Sequence, residues 1–257
     1  MAADLTCLDE VAGGAAPVLR LYRWSPPALS LGRFQPESDV DLTACRGLGV
    51  EVVRRPTGGR ALLHGGDLTY AVAMPRPPGT AGSVDALYRV LAAALVAGLA
   101  ELGVTAALGR DRGPAGPVCF AAAQGADLRV GDRKLCGSAQ VQRGGVVLQH
   151  GSVLLHRLPF DELDLLAAAS GDPGHEARAE TREETRARLR AKSVTLAELG
   201  APTGPEAVAS ALVSGFARTL DVEFDCTVGP AVGAGSTRGA RMDGGSRPRV
   251  QVVPLHP

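Results

Sequence analysis

The sequence has 257 residues, no net formal charge and 45% hydrophobic residues, enough apolar content for one large domain or one domain with an appendage. The charge balance gives no bulk attraction to nucleic acid or to a membrane surface, and no apolar run is long enough to span a bilayer. Five cysteines (Cys7, Cys45, Cys119, Cys136 and Cys226) with no Cys-x-x-Cys pair, and an N-terminal stretch with neither a basic nor an apolar region, point to a reduced, cytoplasmic protein without a zinc knuckle, dithiol motif or secretion signal.

Val18 to Trp24, Val50 to Pro56 and Asp67 to Pro75 read as strands, the last alternating and closed by a proline. From Ser83 the period changes. Val84, Leu87, Leu91, Leu95, Leu99 and Leu102 recur at helical spacing, with Ser83 as N-cap and Gly103 as the stop, which predicts the main core helix. Gly131 to Leu155 returns to a strand, a turn and a second strand. A short helix is expected near Asp161, and the charged stretch from Gly171 to Lys192 reads as a solvated loop and helix. Thr195 and Glu198 have the spacing of a capping box. Pro205 fits the first position of a last amphipathic helix ending near Leu220. After Cys226 the composition turns to Gly, Arg, Pro and Ser, so residues 226–257 read as a disordered or poorly packed tail behind a domain of residues 1–225.

Three segments carry candidate chemistry. In "RRPTGGRALLHGGDLTY", Arg54 to Tyr70, a strand ends at Pro56 and a Gly-Gly pair follows. Gly58 and Gly59 would let backbone N–H groups approach a ligand, and Arg54, Arg55 and Arg60 would favour an anionic or strongly polar group; a plain hairpin loop with solvated arginines fits the same spacing. In "GDRKLCGSAQ" the spacing puts Lys134, Ser138 and Gln140 on one strand face, around Gly137. Lys134 and Lys192 are the only lysines among 27 basic residues. A merely solvated cation would here be Arg, so Lys134 reads as a donor to a carbonyl or phosphate oxygen, against the alternative of an exposed edge-strand lysine. In "GPVCFAAAQ", Cys119 follows a Gly/Pro-rich stretch, and a nearby ammonium would give it thiolate character; Cys136 is a rival nucleophile, and either cysteine also fits as a small buried apolar residue. His64 and His150 read more readily as hydrogen-bonded structural histidines than as bases, and no histidine spacing suggests a metal site.

Taken together, "RRPTGGRALLH" with "DLTY", "GDRKLCGSAQ" and "GVVLQHGSVLL" resemble the biotin/lipoate protein ligase and octanoyltransferase superfamily, with weaker likeness at "RLYRWSPPALSLGRFQ" and "KSVTLAEL". The likeness spans roughly Leu5 to Phe224. It implies an α+β fold, a mixed, largely antiparallel sheet flanked by helices, for a catalytic domain that loads an acyl group onto a carrier lysine. Arg60 stands where the ligases of the family have a third glycine, and Cys119-Phe120 matches a Cys-Phe pair of the Cys-dependent octanoyltransferases. That branch implies octanoyl transfer from octanoyl-acyl carrier protein to a lipoyl domain or glycine-cleavage H protein, with Cys119 and Lys134 as catalytic residues and no cofactor. It further implies substrate-binding positions at Arg54, Arg55, Thr57, Gly58, Gly59, His64, Tyr70, Gly137, Ser138, Ala139, Gln140, His150 and Gly151. Departures are Gly65 and Gly66, where acidic residues are common, Cys136 within the lysine motif, and the tail. Two alternatives remain: a lipoate or biotin-type ligase using ATP and Mg²⁺, and a non-catalytic binder of acylated carriers.

Overall fold

A computed structural model describes residues 1–77, 79, 83–109, 127–167, 181–228 and 247–253. Its centre is an eight-stranded sheet built from β1 (Val18–Tyr22), β5 (Asp67–Pro75), β6 (Ala107–Leu108), β7 (Leu128–Val130), β8 (Arg133–Arg143), β9 (Val146–Leu154), β10 (Asp225–Val228) and β11 (Arg249–Val252). The order across it is β10-β11-β1-β5-β9-β8-β7-β6, antiparallel from β1 to β6 and parallel at β10-β11-β1. A second, three-stranded sheet has β2 (Ala28–Leu31) between β3 (Glu51–Arg54), parallel to it, and β4 (Leu62–His64), antiparallel to it. The mixed, largely antiparallel architecture expected from the sequence is the one present.

Alternation along the strands sends two sets of side chains to opposite faces of the large sheet. Leu19, Leu21, Leu68, Tyr70, Val72, Val147 and Val153 face the helix layer of α3 (Val84–Glu101) and α6 (Pro205–Leu220) and form the main core. Ser83 caps α3 by accepting from the Ala86 amide, and Pro205 opens α6, as the sequence predicts. The two helices cross closely: a Cβ at Gly215 would lie 2.4 Å from the Ala94 carbonyl oxygen. Val18, Ala71, Ala73, Val146 and Leu148 face the other way, against Cys7, Leu8 and Val11 of α1 (Ala2–Ala12).

Several elements depart from the sequence reading. The N-terminal helix α1 is not announced by a strong apolar stripe. The small sheet has its own core with α2 (Leu42–Gly47) and α4 (Glu162–Leu165). The charged stretch contributes α5 (Arg182–Lys192), opened by a reciprocal capping box between Thr181 and Glu184. The Thr195–Glu198 box forms as expected, each side chain bonding the other residue's amide. The tail expected to lack packing does not behave as one piece: Arg249–Val252 lies in the sheet beside β1, with Val250 fully buried. Hydrogen-bonding capacity left open on β1 outweighs the low-hydrophobicity composition around it. Among the described residues no helix is long and apolar enough to cross a membrane.

Candidate active site

The Arg-Arg-Pro-Thr-Gly-Gly run leaves β3 and turns back into β4. Buried Arg55 holds this turn from inside. Its guanidinium donates to the Ser30 carbonyl (2.7 Å) and Oγ (2.9 Å), and to the Gly58 (3.1 Å) and Arg60 (2.8 Å) carbonyls. Arg54 does the same for the preceding loop, donating to the carbonyls of Gly32 (3.0 Å) and Gln35 (2.6 Å). Both guanidinium groups thus brace backbone carbonyls, four of them in the loops, and Arg55 does so while also lining the cleft described below.

His64, at the end of β4, is fixed on three sides. Its Nδ1 lies 2.9 Å from Asp67 Oδ2, its Nε2 lies 2.8 Å from Ser30 Oγ, and Trp24 stacks on the ring at 4.6 Å. Burial raises the Asp67 carboxyl value, but His64, Ser152 and the Gly65 amide outweigh it, and the net displacement is downward. His150, on β9, meets Thr57 through Nε2 (2.7 Å), and its Nδ1 stands 3.6 Å from Asp4 Oδ2. Asp4 is fully buried on α1, pairs with Arg20 and accepts from the Tyr22 hydroxyl (2.8 Å). Burial is the largest cause that pushes the His150 value down. Asp4 opposes it, while Arg55 and His64 add to the lowering.

The lysine hairpin differs from its sequence reading at one point that matters. Leu128 pairs with Cys136 but Arg129 pairs with Lys134, so the register slips by one residue at Leu135. The slip reverses the alternation. Lys134 lies on the α1 side with Gly137, whereas Ser138 lies on the helix-layer side, where its hydroxyl is 2.6 Å from the Tyr70 hydroxyl. The expected shared face of Lys134, Ser138 and Gln140 is thus broken by a bulge. The Lys134 ammonium is buried, 2.9 Å from Asp127 Oδ1, and it occupies the room above Gly137: a Cβ there would be 2.9 Å from Lys134 Cε. Any other residue at 137 would displace the lysine. Cys136 faces the main core, and burial pushes its thiol up to about 12, so it does not supply a thiolate at neutral pH. Cys119 lies outside the described residues.

These segments converge on one cleft between the two sheets. Arg55, Gly58, Gly59 and His64 come from the small-sheet side, and Gly137, Ser138, Ala139, His150 and Gly151 from β8 and β9, with Asp127 beside the Lys134 ammonium. Most of the accessible wall is apolar. Thr57 is joined to it through His150 and Lys134 through Asp127, while Arg54, Tyr70 and Gln140 do not line it. Asp127, Thr69 and Ser152 line the cleft and were not singled out from the sequence. A lone lysine predicted in a strand and placed there by function needs a carboxylate partner, and Asp127, one residue before β7, was within reach of that argument.

Over residues 1–217 the sequence matches the family described as the lipoyl protein ligase A/B catalytic domain. The chain belongs to this family. Among curated relatives, it is 45% identical to the octanoyltransferase LipM of Symbiobacterium thermophilum, with 81% of this chain and 76% of that protein covered. It is 40% identical to the octanoyltransferase LipM of Exiguobacterium sibiricum, covering 87% and 83%. Among solved structures, a putative lipoate protein ligase from T. acidophilum with bound lipoic acid superposes with a TM-score of 0.65 at 25% identity, over 87% of this chain and 82% of that one. A lipoate-protein ligase A bound with ATP gives 0.64 at 25% identity, over 86% and 81%. The overall fold matches that of these ligase structures, and the cleft lies at the motifs that carry the family likeness.

Proposed function

We propose that this lipoyl-ligase-family chain is an octanoyltransferase of protein lipoylation, moving an octanoyl group from octanoyl-acyl carrier protein to a lysine of a lipoyl domain or H protein in the cytoplasm. What supports the reading most is the buried Lys134–Asp127 pair over Gly137, set at an apolar cleft, in a chain whose relatives at 40–45% identity are octanoyltransferases. Cys119 is the nucleophile in this reading. Its thiolate attacks the donor thioester carbonyl, a C–S bond forms, and the carrier leaves as a thiolate that takes up a proton. The acceptor lysine, as free amine, then attacks the enzyme thioester. An amide forms, the amine loses a proton and Cys119 is released as thiolate.

Lys134 suits both steps. Its ammonium stabilises the negative oxygen of each tetrahedral intermediate, and unlike arginine it can also give up and regain a proton. Asp127 holds that ammonium at its post. Because the donor is already a thioester and the product an amide, the reaction runs downhill without ATP. Intact mass after mixing with octanoyl-acyl carrier protein tests this: an octanoyl adduct on the wild type, absent in Cys119→Ala and blocked by iodoacetamide, is expected. ATP-dependent attachment of free lipoate that survives iodoacetamide would establish the ligase alternative instead, and neither adduct nor transfer would leave a binder.

A further inference from the structure

The rim of the cleft carries a feature that acyl transfer itself does not use. Phe34 is 85% exposed, the most exposed large apolar side chain among the described residues. It sits between β2 and the short 3-10 turn at Glu37–Asp39, in a loop that is tightly held. Arg54 donates to the Gly32 and Gln35 carbonyls on either side of it, and the Arg33 amide donates to the Thr57 carbonyl at 2.9 Å. Gly32 packs directly on Gly59: a Cβ at Gly32 would lie 1.9 Å from the Gly59 oxygen. Gly58 and Gly59 line the cleft, so the Phe34 loop is fastened to the cleft wall.

A rigidly presented aromatic ring in water loses nothing further in backbone freedom when a partner covers it, which is how aromatic anchors act in protein interfaces. The ring also brings a cation with it. Arg33 Cζ lies 5.4 Å over the Phe34 ring, and Arg60 is half-buried in the adjoining turn. The two nearby acids are engaged within the loop: Glu37 pairs with Arg54 at 3.3 Å, and Asp39 accepts from the Gln35 side-chain amide at 3.2 Å. We propose that the Arg33–Phe34 knob, with Arg60 beside it, is the docking site for the acyl donor, an acidic carrier protein whose thioester hangs on a phosphorylated arm. The proposal rests on the transferase reading above. Charge distinguishes the donor from the acceptor. The acceptor must bring a lysine ammonium past this arginine-bearing rim, whereas the donor brings a neutral thioester and a phosphate.

The test compares octanoyl-acyl carrier protein with octanoyl-N-acetylcysteamine, a small thioester that has the acyl group but no carrier. In Phe34→Ala and Arg33→Glu, KM for the carrier donor rises about tenfold, the scale of one interface anchor. The kcat, the KM for the acceptor domain and turnover of the small thioester stay near wild type. An unchanged donor KM in both variants overturns the docking site, as does a rise confined to the acceptor KM. An equal loss with the small thioester also overturns it, since the loop would then shape the cleft itself. A wild-type chain that transfers octanoyl from neither donor overturns the transferase reading and this proposal with it.

Discussion

On the helix-layer face of the large sheet, the Tyr70 hydroxyl bonds to Ser138 (2.6 Å) and accepts from Gln149 (3.0 Å). On the opposite face, Lys134 pairs with Asp127 at 2.9 Å beside the cleft. Both clusters use the same device, a strand glycine that leaves room for a long neighbour. A Cβ at Gly151 would lie 2.6 Å from the Tyr70 ring, as one at Gly137 would lie 2.9 Å from Lys134 Cε. They differ in what covers them. Tyr70 is closed over by the main core, with Phe216 at 6.2 Å between ring centroids. Lys134 does not itself line the cleft, but its partner Asp127 and the Gly137 beneath it do. Ser138 and Gly151 of the first cluster also reach that cleft, so what sets the two apart is the core packed on the Tyr70 ring and the buried ion pair at Lys134, neither of which residue type or strand spacing shows.

The largest effects should come from the cleft side. Lys134→Arg is expected to lower octanoyl transfer at least ~10²-fold while the circular dichroism spectrum stays native, because arginine keeps the charge but not the proton exchange or the fit over Gly137. Near-normal rates would reduce Lys134 to a structural cation. Gly137→Ala keeps every reacting side chain but pushes the Lys134 ammonium aside, and a rate loss of roughly 10-fold to 10²-fold is expected from that displacement. If Gly137→Ala retains full activity, the close approach of Lys134 has no part in the chemistry.

On the core side the same kind of change should read out as stability instead. Tyr70→Phe removes a buried hydroxyl bonded to buried Gln149 and half-buried Ser138, at a cost of about 1–3 kcal/mol. For a domain of this size that lowers the melting temperature by several degrees, on the order of 2–4 °C per kcal/mol. KM and kcat per folded molecule should hardly move. A 10²-fold loss of kcat in Tyr70→Phe, well above the spread expected from lost stability, would place the hydroxyl in the reaction and dissolve the distinction between the two faces.

Much of this was legible before the fold. Helical spacing gave α3 and its serine cap, alternation gave β5 and the hairpin, and the glycine and lysine motifs marked segments that do meet at one cleft. What stayed hidden depends on long-range pairing. The bulge at Leu135 reverses the lysine's face, and only the partner strand β7 makes it visible. Sequence shows the charge of Arg54 and Arg55 but not the backbone carbonyls they meet. Asp4 was unremarkable in a polar N-terminal stretch, yet it is the buried anchor for Arg20, Tyr22 and, across the sheet, His150. Arg249–Val252 was hidden by its flanks: four residues suffice when a strand edge is waiting, whatever the composition on either side. The Cys119 assignment falls outside the described residues and stands on the motif alone.

The smallest expected effect concerns the link behind the cleft, from Asp4 through His150 to Thr57. The His150 value is held below its ordinary 6.5, chiefly by burial. Between the lowered value and 6.5 the unfolded chain binds a proton that the folded chain refuses, so stability rises with pH there. On acidification the loss begins as the pH drops below about 6.5 and is complete once it has passed the lowered value. Asp4 and Asp67 are also displaced downward, but from an ordinary value of 3.8, so their contributions remain intact until the pH falls below that range. A melting series from pH 7 to pH 5 therefore separates the histidine from both carboxylates, and the upward-displaced, buried Glu162 acts alike in the two proteins compared. The wild type should show a shallow fall in melting temperature across that window, and His150→Gln, which cannot titrate, a flatter one. An equal slope in the two proteins would mean that His150 takes up its proton as readily when folded as when unfolded, and that its contact with Thr57 does not depend on a neutral ring.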